Sequence, residues 1–133
     1  MYKALVVDDE IIFREYLKTI LEWEKYDIEI TGEAKNGEKA LELLREQEYD
    51  LAFVDISMPI MDGIAFSAEA LKITPELMIV LISGHNEFEY AKSALQLGVR
   101  DYILKPFDRA ELIKTVVNIT DSLEEKRKKQ IWD

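Results

Sequence analysis

The 133-residue chain is 48% hydrophobic and 33% charged, with few glycines and prolines and no cysteine. One domain with a core of its own fits those values; a disordered tail, a disulfide scaffold, a thiol nucleophile and a cysteine metal site do not. The formal charge is −10, and removing the ten C-terminal residues, four basic and three acidic, leaves −11. The acidity therefore belongs to the body of the domain, which argues against nucleic-acid binding by charge. Met1-Tyr2-Lys3 does not open a signal peptide, and the longest apolar runs are strand-sized, so the expectation is a soluble, cytoplasmic protein.

Residues 3–7 read as a buried strand ended by Asp8-Asp9-Glu10. Phe13, Leu17, Ile20 and Leu21 then fall at helical spacing, predicting a helix from Ile11 to about Trp23. Residues 28–34 alternate, with Ile28, Ile30, Gly32 and Ala34 on one face, which predicts a half-exposed edge strand. Asn36-Gly37 turns into a helix over 38–47 with Ala40, Leu41 and Leu44 inward. Leu51-Ala52-Phe53-Val54 is an apolar strand ended by Asp55. After a Met58–Gly63 loop, Asp62 suits the cap of a helix over 63–73 that presents Ile64, Ala68 and Leu71, and Thr74-Pro75 stops it.

Met78–Ile82 is the most apolar strand and hence central; Ser83-Gly84 follows. Asn86 with Glu89 has capping-box spacing for a helix to Leu97, with Gly98 placed as its C-cap. Residues 101–104 form the last strand, before Lys105-Pro106. Asp108 and Glu111 open a final helix through Leu112, Val116, Ile119 and Leu123, continuing toward a polar tail. Five strands alternating with five helices imply an α/β fold, a doubly wound parallel sheet covered on both faces. An edge strand second in sequence fits the order 2-1-3-4-5.

Ligands of such sheets bind beyond the C-terminal strand ends. The first strand ends in Asp8-Asp9, the third in Asp55, the fourth in Ser83 and the fifth in Lys105. Taken singly, each is an ordinary cap, turn hydroxyl or surface lysine; their coincidence at four strand ends carries the signal. Converging carboxylates repel unless a cation offsets them. An all-oxygen donor set favours magnesium, or manganese, over zinc or copper. Such a cation handles phosphate, and one carboxylate can serve as nucleophile to form an aspartyl phosphate. Asp8 and Asp9 are adjacent and precede a helix, which suits cation binding. Asp55 stands alone at a central strand end and is the preferred nucleophile.

These pieces together resemble the receiver domain of two-component response regulators. The likeness covers about residues 2–123 and rests on Val7-Asp8-Asp9-Glu10, Val54–Pro59, Met61-Asp62-Gly63, Ser83-Gly84 and Asp101–Phe107. The resemblance implies a flavodoxin-like (CheY-like) fold and a phosphoacceptor rather than an enzyme. It makes Asp55 the acceptor of a phosphoryl group from a sensor histidine kinase. It assigns Mg2+ to Asp8, Asp9, Asp55 and the Ser57 backbone carbonyl. It pairs Lys105 with the phosphorylated aspartate, makes Ser83 and Tyr102 switch residues, and implies a cis Lys105-Pro106 bond. Finer likeness in Trp23–Tyr26, Ser83–Lys92 and Leu97-Gly98-Val99 points to regulators with an AraC-type helix-turn-helix output. From it come three further expectations: a phosphorylation-dependent homodimer through the 86–123 surface, a receiver over 1–123, and the start of a helical linker over 124–133 to a DNA-binding domain. His85 stands where many of those relatives carry tyrosine, and Ser57 is shorter than the usual residue at its position. The rivals are a small magnesium-dependent phosphatase or phosphotransferase, and a pseudo-receiver that binds partners without phosphorylation.

Overall fold

A computed structural model describes residues 1–84 and 87–132. In chain order the elements are β1 (Tyr2–Val7), α1 (Ile11–Ile20), β2 (Ile28–Ala34), α2 (Gly37–Glu46), β3 (Leu51–Asp55), α3 (Gly63–Ile73), β4 (Met78–Ser83), α4 (Phe88–Ala94), β5 (Asp101–Leu104) and α5 (Arg109–Trp132). The strands pair in parallel in the order β2-β1-β3-β4-β5, as the sequence implied.

Successive side chains of a strand point to opposite faces, and helices cover both. On one face Leu17 of α1 and Leu112, Val116 and Ile119 of α5 pack on Ala4, Val6, Phe53, Val80 and Ile82. On the other, α2, α3 and α4 bring Leu44, Phe66, Ala70 and Ala91 onto Leu5, Val7, Val54, Ile79 and Leu81. That is why the three central strands read as unbroken apolar runs. Phe53 and Phe66 are both fully buried; truncation of such a side chain to alanine costs roughly 3–5 kcal/mol.

Several expectations need correction. α1 ends at Ile20, and Trp23–Tyr26 form a separate 3-10 turn. Trp23 lies against Phe53, with ring centroids 5.5 Å apart, and its indole N–H donates to the Leu17 carbonyl at 3.0 Å. A buried indole needs an acceptor, and here it takes one from the end of α1. The four residues expected on one face of β2 are split between two. A register shift sets Ala4 opposite Ile30 and Leu5 opposite Gly32, leaving Thr31 as the extra residue. Ile28 and Ile30 therefore pack on the α1/α5 side, while Ala34 joins the other layer. In α3 the buried positions are Phe66, Ser67 and Ala70, with Ile64 and Leu71 only flanking them. Ser67 tolerates burial because its hydroxyl donates to the Gly63 carbonyl at 2.7 Å.

Side chains cap several helix starts, Asp62 and Asp108 as expected and Asn36 at a position that read as a turn. Asn36 Oδ1 accepts from the Lys39 N–H at 2.9 Å, Asp62 Oδ1 from Ala65 at 2.8 Å, and Asp108 Oδ1 from Glu111 at 2.8 Å. Gly98 takes φ 103°, the left-handed conformation of a C-cap, but α4 ends at Ala94, short of the expected Leu97, and Gly98 caps a 3-10 turn over Leu95–Leu97. Asn86, read as the cap of α4, lies outside the described residues. α5 continues unbroken past Leu123 to Trp132. Tyr2 Oη donates to the Glu124 carboxylate, and Arg100 to Ser122 Oγ at 2.6 Å, which ties the long helix to β1 and to the start of β5.

The loop after β3 closes tightly over the strand end. The Gly63 N–H donates to the Ile56 carbonyl at 2.8 Å, and a Cβ on Gly63 would stand 2.5 Å from the Asp55 carbonyl oxygen. Gly63→Ala therefore forces backbone to move, at a cost of about 1–3 kcal/mol. At Gly37 an added Cβ meets only the Met61 side chain, nearest at Sδ 2.8 Å, whose flexible end yields. Urea unfolding will show Gly63→Ala clearly destabilised and Gly37→Ala close to native; equal midpoints would contradict the close approach.

Candidate functional site

β1 and β3 are neighbours in register, Val7 opposite Val54, so the residues that follow them meet at one rim. Asp8 and Asp55 sit there with only 1% and 5% of their surfaces exposed. Two buried carboxylates side by side are unfavourable without a countercharge. Lys105, just past β5, reaches back to supply it: Nζ lies 3.6 Å from Asp55 Oδ1 and 3.8 Å from Asp8 Oδ2. Its backbone N–H donates to the Ser83 carbonyl at 2.7 Å, which fixes the start of that reach. The Lys105-Pro106 bond is cis, in keeping with the resemblance.

Burial, and next the Asp8 carboxylate, push the Asp55 carboxyl up from the ordinary range to about 6; Glu87 adds a smaller push. The Lys105 ammonium and the Ser57 backbone N–H pull the other way without cancelling that rise. Asp8 is also raised, by burial above all, against the Glu10 N–H and Lys105. Its Oδ1 accepts from the Glu10 N–H at 2.8 Å, whereas its buried Oδ2 has no hydrogen-bond partner among the described residues. Arg14 Nη1 donates to the Asp8 carbonyl at 2.6 Å and Nε to Glu33 Oε1 at 3.2 Å, anchoring the β1–α1 loop to β2.

Carboxylate oxygens of Asp8, Asp9 and Glu10 lie within 4.8 Å of one another, Asp8 buried and the other two exposed. Asp55 stands outside that trio and meets Asp8 and Lys105 instead. A buried carboxylate oxygen with no hydrogen bond among the described residues, beside further acidic oxygens, fits a hard cation such as Mg2+, which takes oxygen ligands and keeps several waters. The signal for Glu10 was present in the unbroken acidic run after β1.

Ser83 is fully buried at the end of β4, and its hydroxyl has no hydrogen-bond partner among the described residues. Tyr102 is half-buried in β5, its ring edge-on to Phe88 at 5.7 Å and packed against the α2/α3/α4 layer. The side chain of Ser57 is exposed; its backbone N–H serves the Asp55 carboxylate. His85 lies outside the described residues. Two groups escaped the sequence reading. Glu87 accepts from the Gly84 N–H at 3.0 Å, and Phe13 places its ring 4.2 Å beneath Lys105 Nζ. Glu87 lies within the Ser83–Lys92 stretch but carried no role of its own there, and Phe13 read as a core position; both depend on a contact between distant elements or on loop geometry.

Comparison with known proteins bears on the family and the fold. The model of the response regulator receiver domain matches residues 4–117. The chain is 35% identical over 123 residues to the transcriptional regulatory protein YesN of Bacillus subtilis, covering 92% of this chain and 33% of that protein. It is 36% identical over 112 residues to the transcriptional regulatory protein HptR of Staphylococcus aureus, covering 84% and 44%. The chain thus spans less than half the length of these curated relatives. Among solved structures, the REC domain of AraT, a response regulator from Geobacillus stearothermophilus, superposes with a TM-score of 0.88 at 40% identity, covering 95% of this chain and 98% of that one. A two-component transcriptional regulator AraC from Clostridium phytofermentans gives 0.87 at 26% identity, covering 96% and 98%. Among the described residues no helix is long and apolar enough to cross a membrane. The chain belongs to the response regulator receiver domain family, with the CheY-like fold and with transcriptional regulatory proteins among its relatives.

Proposed function

We propose that this domain accepts a phosphoryl group on Asp55 from a sensor histidine kinase and converts the added charge into a change of surface. The observation that carries the reading is the meeting of buried Asp55 with Asp8 and with Lys105 at one sheet rim. An Asp55 carboxylate oxygen attacks phosphorus in line. The P–N bond of the phosphohistidine breaks, and its electron pair returns to the imidazole nitrogen. Lys105 offsets charge on the transferring group. Asp8, Asp9 and Asp55, with the Ser57 carbonyl, would hold Mg2+. When bound, that ion supplies charge neutralisation at the phosphoryl oxygens.

The Ser83 hydroxyl, without a hydrogen-bond partner among the described residues, is suited to donate to an anion newly placed on Asp55. Its backbone is bonded to that of Lys105, so a shift there bears on β5 and Tyr102. The proposed outcome is a population shift over the 86–123 surface that favours a homodimer. The AraC-like relatives and the unbroken course of α5 beyond Leu123 support coupling to a DNA-binding output, with residues 124–133 as the beginning of the connecting helix. A cytoplasmic setting accords with such a signalling partner.

Beryllofluoride with magnesium mimics the acyl phosphate. It will shift amide resonances from Ser83 through Leu123 and raise the mass seen by light scattering in the native protein, and do neither in Asp55→Asn. No response in the native protein would favour a pseudo-receiver; phosphomonoester turnover surviving Asp55→Asn would favour a phosphatase.

The raised Asp55 pKa also sets a pH dependence. The folded state holds this proton more tightly than the unfolded chain, so the group's contribution is fully present below about pH 4 and lost as pH rises through about 6. Asp55→Asn escapes that loss. Without divalent ion it will be more stable than native at pH 7 by about 3 kcal/mol, with the gap closing toward pH 4. Saturating Mg2+ will narrow it. Urea midpoints across pH provide the check; a gap independent of pH would contradict the electrostatic origin.

A further inference from the structure

A lysine carries a flexible four-carbon stem and a compact, strongly hydrated head, so holding its charge at one point needs more than one wall. Lys105 has Asp55 and Asp8 on one side, and its side chain still keeps 29% exposure. Phe13, one helical turn into the chain after the acidic loop, provides another wall. Lys105 Nζ stands 4.2 Å from its ring centroid, within the range of a cation–π contact.

The ring is itself held in place. Phe13 is edge-on to Phe107 at 6.1 Å and 86°, and tilted on Tyr16 at 5.9 Å. Phe107 is buried and lies two residues beyond Lys105, so the segment that carries the ammonium also clamps the ring beneath it. Phe13, Tyr16, Lys105, Pro106 and Phe107 together line an open notch of about 440 Å³.

The choice of an aromatic has a physical reason. A leucine would fill much of the space but offer no attraction to a cation. A third carboxylate would hold the ammonium, yet it would add repulsion at Asp55, whose carboxyl is already raised by its neighbours. A ring face attracts the cation through its quadrupole and carries no net charge. The attraction is also weakly directional, so the ammonium keeps freedom to follow an anion.

We propose that Phe13 is a positioning residue: its ring seats the Lys105 ammonium against Asp8 and Asp55, so that positive charge is already in place when an anion arrives on Asp55. The arrival of the anion rests on the proposed function; the seat itself does not.

A double-mutant cycle tests it, with beryllofluoride plus magnesium as the probe of the full chain. Phe13→Leu will weaken beryllofluoride binding about three- to ten-fold, and Phe13→Tyr will stay within about two-fold of native. In a Lys105→Ala background, Phe13→Leu will add no further loss. Equal losses in both backgrounds, or none in either, would overturn the proposal. The ε-methylene protons of Lys105 give a readout free of any ligand. They will show an upfield ring-current shift in the native protein that disappears in Phe13→Leu. Unshifted protons in the native protein would equally defeat the seat. If the native protein takes up no beryllofluoride, the functional reading falls, and the ε-methylene shift alone decides the role of Phe13.

Discussion

One lysine ammonium between two buried carboxylates is the constraint on which the site depends. Asp8 and Asp55 are brought together by strand order: β1 and β3 are adjacent in space though β2 separates them in sequence. Backbone hydrogen bonding along the sheet thereby forces two like charges into a poorly solvated corner. Lys105 relieves that repulsion only in part, because it is shared at 3.6 and 3.8 Å and remains partly hydrated. The result is a rim that favours added positive charge, or a proton, or a cation. A carboxylate kept in that state at a central strand end is a sensible place for phosphoryl chemistry.

The rim also has short mechanical links to the rest of the domain. The Ser83 carbonyl accepts the Lys105 N–H, and the Ile82 carbonyl accepts the Ile56 N–H just past Asp55, so the ends of β3, β4 and β5 are tied in sequence. Tyr102 lies between that rim and α4 through its contact with Phe88. At the other end, the Arg100–Ser122 and Tyr2–Glu124 hydrogen bonds fasten α5 to the sheet on either side of the last core leucine, Leu123. In the proposed function these links are the material through which charge at Asp55 reaches a rigid helix.

Much of this was legible in the residues. Continuous apolar runs gave away the central strands, because strands buried on both faces do not alternate. The polar residues ending four of the strands then located the rim, and Asp62 and Asp108 announced helix starts by capping chemistry. What escaped reading depended on contacts between distant elements. The bulge at Thr31 hides behind a regular alternation, since the pattern Ile28, Ile30, Gly32, Ala34 is the same with or without a register shift. Trp23 looked like the last turn of α1 because a helix stripe and a sheet-packing anchor share the same spacing. Phe13 read as an ordinary core position. Its place under Lys105 arises only when α1 and the β5–α5 loop meet.

The most direct test of the central claim is a carbon-13 NMR titration of the aspartate carboxyl groups, with Asp55 assigned through Asp55→Asn. The account predicts that in the absence of divalent ion Asp55 titrates near pH 6, and that Mg2+ moves it down toward the usual carboxylate range. An Asp55 that titrates near 4 in the ion-free protein, unmoved by Mg2+, would contradict it.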